Sequence, residues 1–270
     1  MIRKCLAVGI ILLFIGAGII PSLAQNISGK SFLILSRGGD HVPIYIYGND
    51  EFTAENGVTG GNGTVNNPYL IENWVFTSVG SGQAISILDT DAYFIIRNCT
   101  IRGFQDGIWF LRVVNGAIEE TTIETTTAWD ETGIIIANSH DIMITDNIIN
   151  ADITNLGLES VYNITISGNI FTGWLVIGSG KNFIFSYNTV TNGSLHVWDN
   201  CILESNNIMT FSEFYITSSS YVKFCHNYWG EPRLFPKVIS GRIYKGYSQH
   251  RWFLIDWHPA QKPYDIPGIN

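Results

Sequence analysis

The chain of 270 residues offers few groups able to do chemistry: six histidines, four cysteines and scattered carboxylates. Elimination on an acidic polysaccharide would want a carboxylate cluster to hold Ca²⁺ and a basic residue to remove a proton. Hydrolysis of a glycoside would want two carboxylates at a set separation. The acidic candidates are Glu119, Asp146, Glu159 and Glu204, with Asp130 and Glu131 in an irregular stretch. If the chain is an enzyme, Asp130 and Glu131 are the expected catalytic pair; otherwise no catalytic residue is expected. A soft-metal centre would want His, Met or Cys to converge. His140 lies near Met143 and Cys225 beside His226, but the sequence predicts no cluster around either pair, so neither a metal site nor a resident cofactor is expected.

Whether such groups meet depends on the elements that carry them. The phrase Ile142-Met143-Ile144-Thr145-Asp146-Asn147-Ile148 alternates apolar residues up to an Asn and then resumes with an apolar residue. It returns at Ile164 to Ile170 around Asn169 and at Phe183 to Thr189 around Asn188, with further copies ending on Asn206 and Asn227. Upstream, Cys99, Thr121 and more loosely Trp74 take the Asn position. The intervals drift around ~22 residues, the mark of a solenoid whose turns bury their apolar faces on one another. Alternation rich in Ile, Val and Phe is the strand period. A second alternating run follows each Asn, as at Ile108-Trp109-Phe110, Ile134 to Ile136 and Leu195-His196-Val197, often after a glycine such as Gly107 or Gly133 that suits a sharp corner. The expected fold is all-β: a right-handed parallel β-helix of about eight coils. The Asn column is expected to point inward, each amide bonding the corner and the amide one coil away, ~4.8 Å off.

These repeats resemble right-handed parallel β-helix proteins of the pectin-lyase-like superfamily, and within it the NosD-type and carbohydrate-binding or sugar-hydrolase repeat modules. Phe52 to Gly63 followed by Pro68-Tyr69-Leu70-Ile71-Glu72 is similar to the leading segment of archaeal secreted members, and Asn227-Tyr228-Trp229-Gly230 to their closing motif. The fold hosts lyases, hydrolases, binding proteins and structural spikes, so the resemblance implies fold more than function. The NosD likeness implies copper, for which the sequence shows no converging ligands.

Four segments follow. Residues 1–24 read as a secretory signal: Arg3 and Lys4, an apolar centre from Leu6 to Ile20, then Pro21-Ser22-Leu23-Ala24 before a cut near Gln25. The alternative is an uncleaved anchor, the one membrane contact expected. Residues 25–68 read as an N-terminal β cap and a leading loop, 69–229 as the β-helix, and 230–270 as an irregular aromatic C-terminal cap in which Trp257 packs and His258 bonds the backbone. A capped first coil keeps an open edge from pairing with other chains.

Charged residues are 14% of the chain and the formal net charge is −8, which argues against a nucleic-acid partner. Loss of Arg3 and Lys4 with the leader would leave 13 basic residues against 23 acidic. Coil spacing separates Cys99 from Cys201, and strand parity separates Cys201 from Cys225, so no disulfide is expected. Sequons at Asn26, Asn62, Asn98, Asn163 and Asn192 offer glycosylation sites. Arg97 and Glu119, one coil apart, read as an exposed ion pair. The outward residues of the second strand include Trp109, Glu159, His196, Trp198 and Tyr215, a set suited to stacking on sugar rings and bonding hydroxyls. The expectation is a secreted or cell-surface protein that binds a polysaccharide or surface glycan without turnover. The alternatives are a polysaccharide lyase, with Ca²⁺, or a glycoside hydrolase; or a structural envelope protein.

Overall fold

The structure is a computed structural model that describes residues 39–125, 131–178, 180–191, 193–197, 201–209, 211–217, 221–245 and 248–266, without the side chains of 193, 197, 211–217, 241–245 and 248–252. The expected leader and the run Phe32 to Leu35 lie outside them. No helix among these residues is long and apolar enough to cross a membrane.

The alternating phrases fold into a parallel β-solenoid of three sheets, with ten, eight and seven strands. Each turn carries three strands, as in Phe94–Arg97, Thr100–Arg102 and Asp106–Val113. The seven-stranded sheet bounds the complete turns below the eight expected. The phrase read as one strand is two, broken by a corner immediately before the Asn position. There the backbone is left-handed in coil after coil: Asn73, Asn98, Glu120, Asp146, Gly168, Tyr187, Ser205 and His226 all have φ between 48° and 73°. Such a corner suits Gly, Asn and Asp; the fold imposes it on Tyr187 and His226 as well.

Inside, like stacks on like. Ile71, Ile96, Ile118, Ile144, Ile166, Phe185, Leu203 and Phe224 form one column through the eight-stranded sheet. Phe76, Ile101, Ile123, Ile149, Phe171, Val190 and Ile208 form another through the seven-stranded sheet. All are buried, and a buried side chain of this size contributes ~1.5–3 kcal/mol. Gly107 and Gly133, expected at corners, instead lie just inside the strands Asp106–Val113 and Thr132–Ala137, and what they supply is room rather than a special φ. A Cβ on Gly107 would lie 2.5 Å from the Gly133 carbonyl oxygen, and one on Gly133 would lie 2.7 Å from that of Asn155.

The asparagines pile into a ladder. The backbone N–H of Asn147 donates to Asn169 Oδ1 at 3.0 Å, Asn169 to Asn188 at 3.0 Å, Asn188 to Asn206 at 2.8 Å and Asn206 to Asn227 at 3.0 Å. Each Nδ2 also donates to a carbonyl of the preceding coil, as Asn169 does to Ile144 at 2.8 Å. Upstream Thr121 substitutes, its Oγ1 accepting from Cys99 N at 3.3 Å. Trp74 fills the first slot differently, donating Nε1 to Gly57 O at 2.7 Å.

The ends are closed. Strand Ile44–Tyr47 pairs in parallel with Gln83–Thr90. Behind it, Phe52 is buried, stacked on Tyr69 at 4.7 Å and close to Phe94 at 5.4 Å. The C-terminal cap is more regular than expected: Lys237–Lys245 joins the ten-stranded sheet beside Phe211–Thr217 and pairs antiparallel with Ser248–Asp256. The prolines that suggested irregularity fall outside both strands. Trp257 is exposed rather than packed (63%), and the buried residue of that motif is Asp256. Arg97 pairs with Glu72, at 2.5 Å, and not with Glu119. Burial, with Glu120 and Asp146 nearby, raises Glu119 above the ordinary carboxylate range despite the opposing pull of Arg97.

Candidate functional site: the outer face of the ten-stranded sheet

Strand register sets the outward columns of this sheet. One runs Tyr45, Ser86, Trp109, Ile135, Gly157, Val176, His196, with Tyr215 at its next register position; Ser86 in it is buried despite its outward parity. The next runs Tyr47, Leu88, Leu111, Ala137, Glu159. Trp109 and His196 therefore share a column as expected, and Glu159 is exposed beside it. Trp109 is half-buried rather than open. Trp198 lies outside the described residues, as does the side chain of Tyr215.

Trp174, outside the expected set, also stands on this face. It precedes Val176 by two residues and so shares its parity, which was signal enough. Its indole is 47% exposed and leans on His196, the ring centroids 5.8 Å apart at 33°. Strand spacing puts Trp109 and Trp174 roughly 16 Å apart along the sheet. Gly157 leaves the surface between them low. The face is thus a long, gently apolar track with an aromatic group toward each end.

At the N-terminal end, the first three strands finish in an open cleft of about 580 Å³ lined by Asn49, Asp50, Asp89, Thr90, Asp91, Arg112 and Val114. Its polar groups are held in place. Arg112 bonds Asp89 with two nitrogens, Nη2 at 2.7 Å. Asn49 Nδ2 donates to Asp91 at 2.7 Å, and Thr90 Oγ1 donates to Asn49 Oδ1 at 2.5 Å. The Arg112 guanidinium holds Asp89 below the usual carboxylate range. Tyr47, whose side chain also bonds Asp89, and Tyr45 are exposed on the strand that leads to the cleft. Nothing in the repeat pattern marks it, because Asp89 and Arg112 lie at a second left-handed corner whose residue types vary.

The expected catalytic pair does not form a surface site. Asp130 lies outside the described residues. Glu131 is 0% exposed, and neither of its carboxylate oxygens, nor Oγ1 of the nearby buried Thr125, has a hydrogen-bond partner among the described residues. Glu131 shares the parity of the outward Ile135 and Ala137, yet it is fully buried, so it offers no carboxylate to a polymer at the surface.

The sequons differ in geometry. Asn26 and Asn192 lie outside the described residues. Asn98 and Asn163 are exposed, yet their side-chain nitrogens are engaged across coils, with Asn73 Oδ1 at 2.7 Å and Asp141 Oδ1 at 3.0 Å. Asn62 is exposed with only its Oδ1 engaged, accepting from Thr64 Oγ1 at 2.8 Å and Thr64 N at 3.4 Å.

The expectation that Cys225 and His226 form no cluster is also corrected. Glu204, Cys225 and His226 bring ligand atoms within 4.8 Å of one another. Parity places Cys225 on the outer side beside Glu204, where it is nonetheless buried, and the left-handed turn at His226 swings its ring to the same side. Cys99 and Cys201 are buried thiols, pushed by burial up to about 11 and about 12.

The three stacked parallel sheets and the inward amide ladder define a β-helix protein. A family model described as "Right handed beta helix region" matches residues 44–214, and the chain belongs to that family. No curated protein and no solved structure matches the chain.

Proposed function

We propose that this is an exported β-helix protein that binds glycan, or a glycan-bearing partner at the cell surface, along the outer face of its ten-stranded sheet, without turnover. The observation that carries this reading is Trp174: a half-exposed indole braced by His196, on the same face as Trp109 and on the same sheet as the exposed Tyr45 and Tyr47, with a polar cleft at its N-terminal end. Apolar sugar faces stack on such rings, while fixed carboxylate, amide and guanidinium groups bond hydroxyls. Export rests on the leader read in residues 1–24, and the finer likeness to NosD-type and carbohydrate-binding modules of secreted archaeal proteins agrees with it.

The test is a glycan array and affinity electrophoresis against neutral and acidic polysaccharides. Retention by at least one polymer is expected, weakened roughly 3–10-fold by Trp174→Ala. Retention by none would leave the structural envelope reading. A polysaccharide-cleaving role loses Glu131 to burial, and its remaining support is the acidic cleft of Asp50, Asp89 and Asp91. There Asp89 is tied to Arg112 and Asp91 to Asn49, which leaves neither free to act as base. Release of unsaturated or reducing products, with or without Ca²⁺, would overturn the non-catalytic reading.

A further inference from the structure

At the last corner of the solenoid, Glu204, Cys225 and His226 meet, and the ring of a second histidine lies close by. Cys225 Sγ is 3.1 Å from His226 Nδ1, and Glu204 Oε1 is 3.8 Å from the same nitrogen. The ring of His258 stands 5.9 Å from that of His226, centroid to centroid. A tetrahedral Zn²⁺ with Zn–S ~2.3 Å and Zn–N ~2.0–2.1 Å requires donor atoms ~3.3–3.6 Å apart, and puts two bound imidazoles ~5 Å apart. The separations of Cys225 and Glu204 from His226 bracket the first range, while the two rings stand about 1 Å farther apart than the second, so His258 must swing inward to complete the set.

The backbone beneath the group is fixed. One carboxylate oxygen of the buried Asp256 accepts the N–H of His226 at 3.1 Å and of His258 at 3.3 Å. Tyr264 OH donates to the carbonyl of His226 at 2.7 Å. Two histidines 32 residues apart are thus pinned to one acceptor, with their rings tilted at 32° to each other. The Glu204 and His226 side chains are partly open to solvent, which gives an ion a path in.

We propose that Glu204, Cys225, His226 and His258 form a binding site for a borderline divalent cation of the Zn²⁺ class, which fastens the C-terminal segment to the last two coils. One thiolate, two imidazoles and one carboxylate suit that class better than Ca²⁺ or Mg²⁺, which take oxygen ligands. Binding releases the thiol proton of Cys225 and leaves its sulfur as a thiolate on the metal. The site does not depend on the glycan reading.

The experiment is a Co²⁺ titration of the full chain purified without a polyhistidine tag. Cobalt is expected to bind one per chain, with a thiolate charge-transfer band in the near ultraviolet and the intense visible bands of a four-coordinate ion. Zn²⁺ is expected to displace it and to raise the melting temperature. Cys225→Ser removes the charge-transfer band, while His226→Ala and His258→Ala each weaken Zn²⁺ binding roughly tenfold or more. His140→Ala, outside the site, changes nothing, and circular dichroism checks that each variant is folded. No charge-transfer band in the folded wild-type chain, a band that survives Cys225→Ser, or binding of Cu⁺ alone would overturn the proposal.

Discussion

The carboxylate of Asp256 occupies the place that the next asparagine would take after Asn227. It accepts the backbone N–H of Asn227 at 2.9 Å and its side-chain amide at 3.3 Å, and also Trp229 Nε1 at 3.1 Å. With the N–H groups of His226 and His258 on its other oxygen, it is a fully buried acceptor that ends the ladder.

Asp256→Ala leaves those donors without a partner in a closed site. The expected loss is about 3 kcal/mol or more, read as a fall in urea midpoint. Asp256→Asn keeps the shape but turns one oxygen into a donor that confronts other donors, so it should recover little of the loss. Trp257→Ala, next door but exposed, is the control and should change stability by less than about 0.5 kcal/mol.

Cys99 and Cys201 should be inert thiols. Burial holds them up to about 11 and about 12, so the nucleophilic thiolate is scarce at pH 8. Iodoacetamide followed by peptide mass spectrometry is expected to modify neither in the native protein and both in guanidinium chloride. Rapid native labelling of Cys201 would contradict its inward position.

Glu119 and Asp146 should make stability fall as pH rises. For both, burial is the first cause of a raised native value, with Glu120 adding repulsion. A carboxyl raised in the native state binds its proton more tightly folded than unfolded. The stability it contributes is complete below the ordinary carboxylate range and is lost as pH climbs through the raised native value. Glu119→Gln is therefore expected to raise the melting temperature by about 1–2 °C at pH 7, and to have little effect near pH 4.

Among the sequons described, Asn62 should be the one modified in a glycosylating host. Its side-chain oxygen is held by Thr64, while its nitrogen is unengaged. At Asn98 and Asn163 the nitrogen is engaged by the coil before. Glycopeptide mass spectrometry after secretion should find sugar on Asn62. Full occupancy at Asn163 would mean that its ladder opens.

The fold was legible because one kind of interaction repeats in one dimension. Asn147, Asn169, Asn188 and Asn206 must recur once per coil if each is to meet the next, and that constraint shows as spacing. The left-handed corner before each of them was invisible, since its backbone is imposed by the stack and tolerates Asn73, Glu120, Tyr187 and His226 alike. That corner turns His226 toward Cys225 and Glu204, so the cluster could not be reached by strand parity. Likewise Arg97 had acidic partners in the coils on both sides, Glu72 and Glu119. Register alone could not choose between them; in the folded chain Arg97 bonds Glu72 and leaves Glu119 to its acidic neighbours.

The amide ladder has a direction, since each rung gives its N–H to the oxygen of the following one. A duplicated stretch inserted between Asn147 and Asn206 would find an acceptor ahead and a donor behind, and could lengthen the spiral at little cost. Chain grafted after Asp256 would find no such hand-off, because its carboxylate accepts hydrogen bonds on both oxygens and donates none. The molecule can therefore grow by gene duplication from its middle, and its tail is a terminus in the chemical sense.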